Sequence, residues 1–129
     1  RTVLIRTPDE VTARAAKPTG KGTQTWRFHM DHTRDVAFAA SPAFLWDAAR
    51  IKLPDGKQSL AMSVYPLEGV GADKWNRSTE YVKGAIEHFS QWYPYPWPAA
   101  INLGGYGAGM EYPGIVFDGF EDSGKELFW

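Results

Sequence analysis

The stretch GGYGAGMEYPGIVF, from Gly104 to Phe117, sets glycines at 104, 105, 107 and 109 ahead of a lone acid, Glu111, held between Met110 and Tyr112. Residues without a Cβ take positive φ and bare their N–H and C=O groups to whatever approaches. A carboxylate closing such a run would repel a phosphate. The glycines also miss the one-three-six spacing of dinucleotide loops, and no Lys-Ser or Lys-Thr pair follows them. The plainer reading makes Glu111 a solvated turn acid.

The histidines are the other candidates for chemistry. His29 and His32, in HMDH, have a spacing that a metal site could use, with Asp31 and Asp35 close in sequence. A zinc-type site needs at least three protein ligands, however, and no second histidine accompanies His88. Alternation places His29 in a strand and His32 in the turn after it, where the two side chains need not converge. Tyr93 to Trp97 could form an aromatic platform for sugar or peptide, although packing around a helix end explains the same residues.

Composition narrows the classes. Fourteen basic and fifteen acidic residues leave a formal charge of −1 on 129 residues, without a run of like charge, so nothing resembles a polyanion-binding surface. Aromatic residues reach 15%, more bulky apolar material than a core of this size needs, so some should face a pocket or a partner. Without cysteine there is neither a disulfide framework nor a thiolate zinc site, and the compartment stays open between cytoplasmic and periplasmic or secreted. The chain opens on Arg1 without a signal-peptide pattern. It ends in FEDSGKELFW, where Asp122 or Ser123 can cap a helix and Glu126 completes a capping box. A helix that stops after one turn, on Phe128 and Trp129, reads as part of a larger protein, and such a fragment is expected to expose apolar area or to self-associate.

The elements that must position these residues follow from periodicity. RTVLIR, TQTWRFHM (Trp26, Phe28 and Met30 on one face), DVAFAA (Val36, Phe38, Ala40) and QSLAMSVYP (Leu60, Met62, Val64) read as strands. KPTGKG at 17–22 and LPDG at 53–56 carry the turn chemistry between them. A helix from about Asp73 to Tyr93 should present Val82, Ala85, Ile86, Phe89 and Tyr93 as its apolar stripe. Pro94 to Pro98 then form an extended connector into the strand AAINL, and GIVF is a last short strand beyond the glycines. Glu111 is expected in a turn or on an edge strand at the mouth of the sheet.

AGMEYP resembles the substrate-anchoring motif Gly-x-Met-Glu-Asn of the zinc aminopeptidases of the aminopeptidase N and leukotriene-hydrolase type, a gluzincin metallopeptidase family. Met110 and Glu111 match, Gly109 takes the variable place, Ala108 replaces the first glycine and Tyr112 the asparagine. The Tyr-Pro ending looks like a bacterial branch. WRFHMDHTRDVAFAASPAFLWDA resembles the family's passage from its amino-terminal β-domain into the catalytic domain. STEYVKGAIEHFSQWYPYPWP resembles the first catalytic helix and its connector, and AINLGGYGAGMEYPGIVF the strand lining the cleft.

The resemblance implies an α/β fold of α+β type: a mixed, largely antiparallel sheet with one long helix. That sheet would be a partial thermolysin-like catalytic domain over 51–129, preceded by the end of a β-domain over 1–50. It implies a peptidase in which a His-Glu-x-x-His helix and a further glutamate hold zinc. None of those zinc ligands is in this sequence, so no catalytic or metal residue is expected in the chain and the zinc belongs to the parent enzyme. The substrate side would be here, with Glu111 binding the free α-amino group of a peptide, Gly109 and Met110 pairing with its backbone, and Ala108 and Tyr112 flanking them. The expected partners are the peptide amino terminus and the rest of the catalytic domain, without nucleic acid or a membrane span. The competing expectation is a non-catalytic peptide- or glycan-binding module built on the Tyr93–Trp97 aromatics.

Overall fold

The computed structural model describes residues 29–71, 74–105 and 109–119. Five strands form one mixed sheet in the order β1-β2-β3-β5-β4: β1 is Leu45–Lys52, β2 Gln58–Tyr65, β3 Ala99–Gly104, β4 Met110–Tyr112 and β5 Ile115–Asp118. The central pairings β2–β3 and β3–β5 are parallel, and the two edge pairings β1–β2 and β4–β5 are antiparallel. The expected mixed α+β sheet with one helix is present. That helix, α1 (Ser78–Phe89), joins β2 to β3 and packs on β1, β2 and β3.

The LPDG turn does what its residues predict. Gly56 takes φ +82°, its N–H donates to the Leu53 carbonyl, and β1 runs back as β2 in unbroken register from Lys52 opposite Gln58 to Leu45 opposite Tyr65. The expected domain boundary between Arg50 and Ile51 lies inside β1.

The helix is shorter than its sequence pattern suggests. Trp75–Arg77 form a 3-10 turn, α1 begins at Ser78, and turns occupy the chain after Phe89. Trp75 is fully buried against Tyr65, with ring centroids 5.8 Å apart, and that anchor draws the first turn out of helical register. At the other end the Ser90 hydroxyl accepts from the Tyr95 N–H, bending the chain toward the proline connector. The stripe is corrected accordingly. Ser78 and Ser90 are buried and Val82 and Ile86 pack on the core, whereas Ala85, Phe89 and Tyr93 face outward.

Under the helix the sheet presents small residues. Ser59, Ala61 and Ser63 of β2 are buried, and their size lets α1 come close, whereas the expected apolar face of Leu60, Met62 and Val64 is the opposite, partly covered one. One other strand expectation fails. DVAFAA is irregular backbone with Val36 and Phe38 exposed, because it has no partner strand among the described residues to hold its alternation. TQTWRFHM lies outside the described residues except for His29 and Met30, which are not in a strand. RTVLIR, KPTGKG and the capped segment after Gly119 lie outside the described residues.

Candidate functional site

Glu111 lies at the centre of β4, the last strand of the sheet, so the expected edge position is realised. The register sets what stands beside it. Glu111 is opposite Val116, Val116 opposite Asn102, Asn102 opposite Ser63, and Ser63 opposite Asp47, which makes one row across all five strands. The Asn102 Nδ2 donates to Ser78 Oγ on α1 at 3.2 Å, and Ser63 Oγ donates to the same oxygen at 2.8 Å. The row therefore occupies the helix-bearing face, and neighbouring residues on each strand take the other face.

The helix covers only part of that face. Beside it, over β3, β5 and β4, runs a groove of about 400 Å³ whose lining includes Tyr81, Val82, Ile86, Asn102, Val116 and Glu111. Asp118 lines it as well, and no lysine or arginine among the described residues does. Asp118 is buried and closes β5, standing opposite Gly104. The Glu111 carboxylate, exposed at the outer wall of the groove, can attract a cationic ligand, with the attraction screened in part by solvent.

The remaining expected site residues divide by strand parity. Met110 pairs with Phe117 and Tyr112 with Ile115, so both side chains take the face opposite Glu111. There the Tyr112 ring stands edge-on to Phe117 at 5.7 Å, and Met110 is exposed. Gly109 directly precedes β4, and an added Cβ would come no nearer than 3.9 Å to an Asp118 oxygen, so this backbone is open to approach. Ala108 lies outside the described residues. Glu111, Gly109, Met110 and Tyr112 thus form one short edge, with the acid on one side and the apolar chains on the other.

The start of the glycine run has a use within the fold. A Cβ on Gly104 would stand 2.8 Å from Trp75 Cζ2, so bare backbone is needed there for the buried indole. Gly105 has φ +132° and donates its N–H to the Asp118 carbonyl. Gly114, with φ +75°, closes the Tyr112-to-Ile115 turn after Pro113 and lies under Met30.

The histidines do not meet. His29 Nε2 pairs with Asp31 at 2.8 Å, His32 sits in a turn at φ 57°, and His88 packs edge-on to Phe89 and Trp92. Among the described residues no group of three or more His, Asp or Glu converges to hold a metal ion. The connector aromatics are largely structural. Tyr95 packs on the Ile51–Leu53–Ala61 cluster and donates its hydroxyl to the Ala99 carbonyl, and burial pushes that phenol well above its ordinary range. Tyr93, at the start of the 93–97 stretch, is exposed together with Phe89 and Trp92 before it. No helix among the described residues is long and apolar enough to cross a membrane.

Sequence reasoning missed Asp118 and Asn102. Both had a signal: Asp118 lies two residues past Val116, and Asn102 two past Ala100, so alternation from either apolar neighbour puts them on the groove face. Comparison with family models, with curated proteins and with solved structures found no match to this chain.

Proposed function

We propose that this chain is the substrate-anchoring part of a zinc-dependent aminopeptidase, a hydrolase that removes amino-terminal residues from peptides. The observation that carries the reading is the position of Glu111: on the edge strand, on the helix-bearing face, exposed in the wall of a groove beside α1. A peptide laid along β4 would pair with the open backbone at Gly109 and Met110 as an added strand, a mode that takes affinity from main-chain hydrogen bonds. Its ammonium would reach the Glu111 carboxylate on the groove side. A charge-assisted contact of this kind contributes about 1.5–3 kcal/mol.

In this reading the mixed sheet and its helix are a partial thermolysin-like domain, preceded by the last residues of a β-domain. Zinc would supply the activated water, but the described residues do not fit a zinc site, and the ligands belong to the remainder of the catalytic domain. What these residues do is bind and orient. Glu111 selects a free amino terminus, and the edge of β4 sets the direction of the chain behind it.

The second reading is a binding module without catalysis. It is favoured by the exposed Phe89, Trp92 and Tyr93, and weakened by the inward packing of Tyr95. Backbone resonances of this chain, followed during titration with a short peptide, separate the two. A free-amine peptide should shift Gly109, Met110 and Glu111, and the same peptide with an acetylated amino terminus should not. Shifts confined to Phe89–Trp97, or equal shifts with both peptides, would refute the anchoring role.

A further inference from the structure

The outer edge of β1 is already engaged by the helix. Arg50 and Lys52 stand opposite Leu60 and Gln58, and the Leu60 N–H donates away from β1, to the Pro98 carbonyl. Antiparallel pairs alternate between those that exchange N–H···O bonds and those that do not. Arg50 and Lys52 therefore belong to the second kind and turn their C=O and N–H groups outward. Such groups are what a sheet edge uses to recruit another strand.

Both are occupied by side chains of α1. Lys83 Nζ donates to the Arg50 carbonyl at 2.8 Å, and the Lys52 N–H donates to Glu87 Oε1 at 3.2 Å. Lys83 and Glu87, one turn apart, also pair with each other. An ammonium offers that carbonyl what a strand N–H would, and a carboxylate offers that N–H what a strand C=O would. We propose that the Lys83–Glu87 pair closes this part of the β1 edge against strand addition by standing in for one residue of a neighbouring strand.

Two observations fit the assignment. Ile51, between the two outward groups, is fully buried, so the strand cannot turn its edge away without leaving the core. The Glu87 carboxyl is held below its ordinary range by Lys83 first and the Lys52 amide next, which keeps the acceptor ionised at neutral pH. The inference concerns the edge away from Glu111 and stands apart from the peptidase reading.

The test compares the unchanged chain with Lys83→Ala/Glu87→Ala and with Lys83→Gln/Glu87→Gln, by sedimentation over a concentration series with near-UV circular dichroism reporting the fold. The alanine pair should self-associate at concentrations at least about tenfold lower than the unchanged chain, because its edge groups are free. The glutamine pair keeps a donor and an acceptor and should sediment like the unchanged chain. An alanine pair that folds and sediments like the unchanged chain, or a glutamine pair that associates as strongly as the alanine pair, overturns the proposal. Should the alanine pair fail to fold, Glu87→Ala alone decides by amide hydrogen exchange. Lys52 should then exchange at least about tenfold faster relative to Ile51, whose N–H faces β2. Unchanged relative protection of Lys52 would also overturn it.

Discussion

The backbone of Gly104 lies so close beneath the Trp75 indole that a Cβ there would stand 2.8 Å from Cζ2 and 2.9 Å from Cε2. This contact ties the end of β3 to the 3-10 turn that leads into α1, and it fixes where the helix begins relative to the sheet. Gly104→Ala should therefore destabilise the chain by about 1–3 kcal/mol through overpacking, since the indole is enclosed and cannot step aside. Trp75→Ala should cost about 3–5 kcal/mol by opening a cavity. Urea unfolding measures both, and a Gly104→Ala chain as stable as the original would show that the indole has room to move.

A second prediction concerns the polar seam between helix and sheet. Ser78 Oγ accepts from both Ser63 and Asn102, and the other amide atom of Asn102, Oδ1, is buried without a partner among the described residues. Ser78→Ala leaves two buried donors unpaired and should cost about 1–3 kcal/mol. Adding Ser63→Ala removes one of those donors, so the double variant should be less destabilised than the sum of the singles. Additive losses in a double-mutant cycle would mean that the two hydroxyls are not coupled.

What the sequence made legible follows from how locally each feature is determined. β2, β3 and β5 announce themselves by apolar runs between prolines and glycines, and the edge position of Glu111 follows from a short segment caught between a glycine run and the Pro113–Gly114 turn. β1 was not legible, because LWDAARIK has weak alternation and its strand state depends on β2 and on Lys83 and Glu87 reaching its edge. The true start of α1 was hidden for a similar reason, being set by a glycine on β3 roughly thirty residues away. DVAFAA erred the other way, showing strand periodicity without a partner to pair with among the described residues. In the site, the acid nearest the glycines was legible, while alternation gave the face of Asp118 and Asn102 and only the strand register set them beside Glu111.

The acid limb of stability should depend on Glu87. Its carboxyl is lowered in the folded chain, by Lys83 first and then the Lys52 amide, so its contribution is fully present above the unfolded value near 4.5 and is lost as pH falls through the lower folded value. Glu87→Gln should flatten that part of the stability–pH curve, screened in part because the pair is only half-buried. Thermal unfolding across an acid pH series reads the difference, and superimposable slopes would deny the contact its role.

At the alkaline end the group to follow is Tyr65. Its phenol is pushed up to about 12 by burial first and by the Asp47 carboxylate next, which accepts its hydroxyl at 2.5 Å. A raised folded value means the stabilisation is complete below about 10 and is lost as pH rises through about 12. Phenolate absorbance of Tyr65→Phe should lack one late-titrating tyrosine, and Asp47→Asn should bring that tyrosine's titration to lower pH. A tyrosine that titrates identically with and without Asp47 would remove the carboxylate from the account.

The last prediction follows from the proposed anchoring role and takes Glu111 into the proposed parent enzyme. Glu111→Gln removes the charge while keeping size and most hydrogen-bonding capacity, so a lost charge-assisted bond of about 1.5–3 kcal/mol should lower kcat/KM by about tenfold to a hundredfold. The zinc content should be unchanged, because in the proposed reading Glu111 binds the peptide and is not a zinc ligand. The sharper comparison uses a peptide whose amino terminus is acetylated and offers no ammonium. The original enzyme should strongly prefer the free amine, and the glutamine variant should lose most of that preference by becoming worse on the free-amine peptide while its activity on the blocked one stays level. A variant that keeps both its rate and its discrimination would make Glu111 a solvated edge residue and place the anchoring group elsewhere.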